Sequence, residues 1–213
     1  MYCVPCAAAL LGDDGSFDAS VEQWRGLVSK HAGDLPVDFL LAWLQRESGG
    51  NVCSYTKLRE SGIFQLMPPY NTDQGGTREA ALRAACSGTS QKASRQLTDQ
   101  EAEEQVRSGI RYVNYARDYA RQYVKWPESG RDFWKMVKMV HVAPARVKKY
   151  APGTSSWAEF RARAAAGGDT PPHWLDNADW VGDYGVGAGA ASALVLVGLV
   201  TAGALLYLRS ERR

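Results

Sequence analysis

The stretch from Asp34 to Gly50 constrains the fold of this chain more than any other. Phe39, Leu40, Trp43 and Leu44 recur at helical spacing, which puts them on one apolar stripe of a buried helix. Asp34 is expected to cap that helix, and Pro36 suits its first turn because the N–H that proline lacks has no partner there. Gly49-Gly50 ends it. Glu47 therefore arrives at the C-terminal end beside large apolar side chains, and a polar, glycine-bearing loop follows. A carboxyl held against apolar surface is expected to have a raised pKa, because burial disfavours its charged form. A solvated glutamate at a helix end is the other reading.

Around this helix the chain reads as helical almost throughout. An amphipathic helix is expected from Asp18 to Ala32, with Val21, Trp24 and Val28 on one face, broken by Gly33-Asp34. The segment 51–69 reads as a loop with a short extended piece around Ile63 to Leu66. A helix near Thr77 to Cys86 is expected next, then a polar linker. Thr98 and Glu101 form a capping box for a long helix to Lys125. Its tyrosines Tyr112, Tyr115, Tyr119 and Tyr123 fall three or four apart, which suits packing, with one of them free to line a groove. Shorter helices punctuated by Pro127, Gly130, Pro144 and Pro152-Gly153 follow, and a last one starts at Ser155-Ser156 and runs through Ala166.

Several residues in this frame resemble the motifs of the soluble lytic transglycosylases, peptidoglycan-cleaving enzymes whose fold resembles goose-type lysozyme. Glu47-Ser48 with Asn51 matches the family's Glu-Ser-x-x-Asn, and Gly62 with Gln65-Leu66-Met67-Pro68 matches its Gly-Leu-Met-Gln-Leu-Met-Pro. Thr56 stands where the family has a loop serine, while Arg59-Glu60 replaces its usual Gly-Ala. Gly109-Ile110-Arg111-Tyr112-Val113 is similar to Gly-x-x-Tyr-Leu. Met139 to Val147 keeps only part of Ala-Tyr-Asn-Ala-Gly-Pro-Gly-Arg-Val, with Val140-His141 in place of the Tyr-Asn pair. The likeness covers roughly residues 35 to 150.

This resemblance implies an all-α, lysozyme-like domain that cleaves the β-1,4 bond between N-acetylmuramic acid and N-acetylglucosamine, leaving a 1,6-anhydro end. Glu47 would be its catalytic acid and base, needing no metal or cofactor. Ser48, Thr56, Gln65, Met67, Tyr112 and His141 would contact or frame the substrate, peptidoglycan glycan strands. His141 either replaces the lost Tyr-Asn by hydrogen bonding near Glu47 or is a core histidine. A hydrolytic glycosidase ordinarily uses two carboxylates. Asp73 and Glu60 are the nearest candidates for a second, and either would make the protein a muramidase. The missing Tyr-Asn pair leaves a third reading open, a non-catalytic wall-binding protein of an envelope or virion.

Of the 213 residues, 45% are hydrophobic and the net charge is +2, which gives no ground for a nucleic-acid partner. The apolar share is unevenly spread. Val186 to Leu208 holds no charged residue, and at about 1.5 Å per residue it is long enough to cross a bilayer. Asp176, Asp179 and Asp183 precede the run, whereas Arg209, Arg212 and Arg213 follow it. Positive charge stays inside, so the domain is expected outside the cytoplasm and the tail on the cytoplasmic or interior side. Trp174, Trp180 and Tyr184 would anchor the outer interface.

The expected organisation is then a helical extension over 1–34, the lysozyme-like domain over 35–166, a linker over 167–184, a transmembrane helix over 185–208 and a basic tail over 209–213. No basic residue precedes the short apolar run Val4 to Leu11, so it does not read as a signal peptide. Carriage in a phage particle would account for export without one. Cys53 and Cys86 form a disulfide if the domain is exported and are otherwise inert thiols, and Cys3 and Cys6 lack the context of a redox motif. His31, His141 and His173 are too scattered to suggest a metal site.

Overall fold

In a computed structural model of the chain, the structure describes residues 16–67, Arg83, Ala85, Cys86 and 92–185. Among these the helices are α1 (Ala19–Glu22), α2 (Arg25–His31), α3 (Val37–Ser48), α4 (Asp99–Tyr123), α5 (Arg131–Val142), α6 (Pro144–Tyr150), α7 (Trp157–Ala166) and α8 (Pro172–Gly182). The only β pairing described is in isolated bridges, Tyr55 with Ser61, Ser61 with Leu66, and Cys86 with Ala93. The domain is built of helices, as the periodicity predicts.

Helix α3 runs through the centre. Every residue from Phe39 to Gln45 is buried, because α1, α2 and α8 pack around it. Its one buried polar side chain, Gln45, is satisfied: Gln45 Nε2 donates to Asp18 Oδ2 at 2.6 Å, and Asp18 N donates back to Gln45 Oε1 at 3.2 Å. Gly49 closes α3 in the left-handed conformation, φ +59°, which glycine adopts without steric cost. The start differs from the expected one. Pro36 is itself the cap residue, and Asp34 instead pairs with Arg117 of α4 at 3.0 Å.

The expected helix from Asp18 to Ala32 is two pieces, interrupted at Gln23-Trp24. There the buried Trp24 Nε1 donates to Gly50 O at 3.1 Å, so a tertiary bond to the end of α3 overrides the continuous local pattern. In α4 the capping box forms reciprocally: Glu101 N donates to Thr98 Oγ1 at 3.2 Å, and Thr98 N donates to Glu101 Oε2 at 2.9 Å. Helix α5 packs against α4, α6, α7 and α8. It buries Phe133, Trp134, Met136, Val137, Met139 and Val140, and Lys138 among them.

The C-terminal expectations need correction. Among the described residues no helix is long and apolar enough to cross a membrane, so the transmembrane helix over 185–208 has no support, and its residues 186–208 lie outside those described. The stretch 167–184 is no bare linker either. It holds α8, which lays Leu175, Ala178 and Val181 into the core. Trp174, Trp180 and Tyr184 pack against that core rather than forming a membrane belt. The aspartates taken for a bilayer flank bond within the domain: Asp179 and Asp183 receive Lys135 at 3.1 and 3.0 Å, and Asp176 receives Arg161 at 2.6 Å. The apolar residues Leu175, Ala178 and Val181 recur at three-residue spacing, as a helix with one buried face requires.

Candidate functional site

Glu47 sits in the last turn of α3 with its side chain 16% exposed, in contact with Lys138 and His141, both of which lie against Trp43. Trp43 precedes it by four residues and is fully buried, as are Phe39 and Leu44. Opposite lies α5. Lys138 Nζ donates to Glu47 Oε1 and stands 4.1 Å from the centroid of the Trp43 ring, close enough for a cation–π attraction. One turn on, His141 Nε2 is 3.5 Å from Glu47 Oε1, and its ring lies 5.0 Å from Trp43 and 5.5 Å from Tyr112.

This arrangement reverses the expected electrostatics of the acid. Burial, the largest single influence on Glu47, pushes its pKa up, as anticipated. Lys138 and His141 together outweigh it and hold the carboxyl well below the ordinary glutamate range. Glu47 is therefore a carboxylate in the free protein. Burial dominates on the opposite side. It lowers the Lys138 ammonium below its usual value despite Glu47, and it lowers His141 with help from Lys138.

The loop after α3 is fastened to the site. Ser48 Oγ donates to Ile63 O at 2.8 Å and accepts from Gly50 N at 3.1 Å, so it ties the helix end to the loop rather than facing a ligand. Gln65 is buried, and its backbone is left-handed at φ +50°. That conformation is costly for a residue with a side chain. Gln65 Nε2 holds it by donating to Ser54 O at 3.0 Å and to Gly62 O at 2.7 Å. The extended piece expected around Ile63 to Leu66 is thus mostly a turn, and only Leu66 pairs, in a bridge with Ser61. Phe64 fills the space above Gly109, where a Cβ would lie 2.0 Å from the ring.

Three further ties fix the loop. Thr56 Oγ1 donates to Glu60 Oε2 at 2.8 Å, and Glu60 is near enough to be felt by Lys138 and His141. The Cys53–Cys86 disulfide forms with a Cα–Cα distance of 5.7 Å, which decides between the bridged and free thiols, and Arg83 Nη1 donates to Cys53 O at 3.1 Å.

Of the expected site residues, the structure brings Glu47 and His141 together, with the buried Tyr112 behind His141. Ser48, Thr56 and Gln65 serve the loop. Met67 is half-buried at the end of the described loop, and Asp73 lies outside the described residues. Sequence reasoning missed Lys138. The signal was present: a lysine among apolar neighbours, three residues before His141 and hence on the same face of α5. No family model matches the chain, and no curated protein does either.

Proposed function

We propose that this protein cleaves peptidoglycan glycan strands as a lytic transglycosylase, with Glu47 as acid and base. The observation that carries the reading is one nearly enclosed carboxyl at the end of an apolar helix, fastened through Ser48 to a loop that resembles the family's substrate loop. In this scheme protonated Glu47 gives its proton to the oxygen bridging N-acetylmuramic acid and N-acetylglucosamine. The bond from that oxygen to the anomeric carbon breaks. The muramic 6-hydroxyl then attacks the same carbon and returns a proton to Glu47. The pairing of Glu47 with Lys138 favours one other reading, a protein that binds the glycan without cutting it, since Lys138 occupies the carboxylate.

The test is lysis of purified sacculi by the wild type and by Glu47→Gln, followed by mass spectrometry of the released muropeptides. Loss of lysis in the variant, by at least about 100-fold with the fold retained by circular dichroism, supports Glu47 as the acid. Anhydro ends support the transglycosylase, and reducing ends alone make the protein a muramidase. Tight glycan binding by the wild type with no product after long incubation establishes the binding reading instead.

A further inference from the structure

We propose that Lys138 stores the proton that Glu47 delivers to the glycosidic oxygen, so that the two side chains work as one acid. This rests on the reading of Glu47 as the catalytic acid. A carboxylate held as an anion is a poor proton donor. The proton needed is one hydrogen bond away, on Lys138 Nζ, which donates to Glu47 Oε1 from a side chain with no solvent exposure.

The pair has two forms with the same proton count, ammonium with carboxylate, or amine with carboxylic acid. Ordinary values of 10.5 and 4.5 separate the two groups widely in water. A dry environment narrows the gap from both sides, because it disfavours each charge. Only the 16% exposure of Glu47 leaves water access to the pair, and a sugar chain seated over that opening removes it. The proton then passes from Nζ to the carboxylate and on to the bridging oxygen, which keeps the electron pair of the broken bond. The 6-hydroxyl gives up its own proton as it attacks, and that proton returns through Glu47 to Lys138. None is gained or lost over the cycle.

The surroundings leave Lys138 to this task. It is faced by Glu47 and Arg46 of α3, by Glu60 of the loop and by His141 of its own helix, with Tyr112 of α4 behind His141. Several charged groups on the other packed elements pair away from it. On α8, Asp179 and Asp183 take Lys135 and Asp176 takes Arg161. On α4, Glu104 takes Arg111 at 2.7 Å. On α6, Arg146 and Lys149 pair with Asp169, and on α7 Arg163 pairs with Glu159. Lys138 touches no reacting atom and acts through Glu47, as a positioning residue.

The experiment is the pH profile of kcat and KM on soluble glycan strands for the wild type, Lys138→Arg and Lys138→Met, with an NMR titration of Lys138 Nζ in the wild type. Arginine keeps the charge but does not release a proton. Lys138→Arg is therefore expected to lose at least about 100-fold in kcat with KM nearly unchanged. Methionine removes the counter-charge and lets burial protonate Glu47, so the alkaline limb of Lys138→Met should move down by about two pH units or more. In the wild type that limb should coincide with the titration of Nζ. Wild-type kcat in Lys138→Arg, an unmoved limb in Lys138→Met, or a wild-type limb away from the Nζ titration overturns the proposal. The last comparison decides it even where neither variant folds. Absence of product from the wild type removes the Glu47 reading itself, and the role of Lys138 with it.

Discussion

Helix α5 carries two lysines three residues apart, and they meet their carboxylates in opposite circumstances. Lys135 turns to α8, where its side chain is 15% exposed and two aspartates, 30% and 49% exposed, receive it. Burial works against its charge, but Asp183 and Asp179 outweigh that and raise its pKa. Lys138 turns to α3, has no exposure and finds one carboxylate, and burial prevails. The chemistry is the same in both corners. Access to water separates a surface tie from a pair whose proton is movable, because the cost of removing charge from solvent grows faster than the attraction that offsets it.

Three measurements press on this contrast. The largest effect is expected from Glu47→Ala, which leaves Lys138 buried without its partner and should lower unfolding free energy by about 3–5 kcal/mol in urea titrations. A loss under about 1 kcal/mol would put Lys138 in the same class as Lys135. A smaller effect should appear on acidification. A carboxyl with a depressed folded-state pKa contributes stability that is fully present above its unfolded value and is lost as pH falls toward the folded one. Glu47 is held low by Lys138 and His141, and Asp169 is brought to about 2 by Lys149 and Tyr150. Thermal stability should therefore decline as pH drops below about 4.5, with a shallower slope in Glu47→Gln. An equal slope in the two proteins would detach Glu47 from the acid response. The smallest effect belongs to Lys135→Met, which should cost no more than about 1 kcal/mol, given partners open to solvent.

The same contrast shows which parts of the molecule the sequence carries in legible form. Helices α3 and α4 were readable because their signals are local: an apolar period in one, and a Thr98–Glu101 box with reciprocal bonds in the other. Glu47 was placed correctly at its helix end, but its charge state was not. That depends on Lys138, ninety-one residues away in sequence, and a carboxyl's own surroundings say nothing about which cation the fold brings to it. Trp24 broke a helix the pattern ran straight through, again by a distant bond, to Gly50. Ser48 and Gln65 fell in the expected register, yet their polar atoms are taken by Ile63, Gly50, Ser54 and Gly62. Register alone does not distinguish a residue that meets the ligand from one that shapes the loop. Helix α8 is hard to see in the sequence because its aspartates and aromatics, next to a long uncharged run, have the composition of a membrane flank.

The ring of Phe64 seated over Gly109 has one more consequence. Where any larger residue on α4 would push that ring aside, glycine leaves a slot the width of a phenyl group, and the turn that carries Gln65 is keyed into the long helix. Sliding or rolling α4 past the turn requires the key to come out first. The turn after Gly62 and the long helix are therefore registered to each other by shape at that one point.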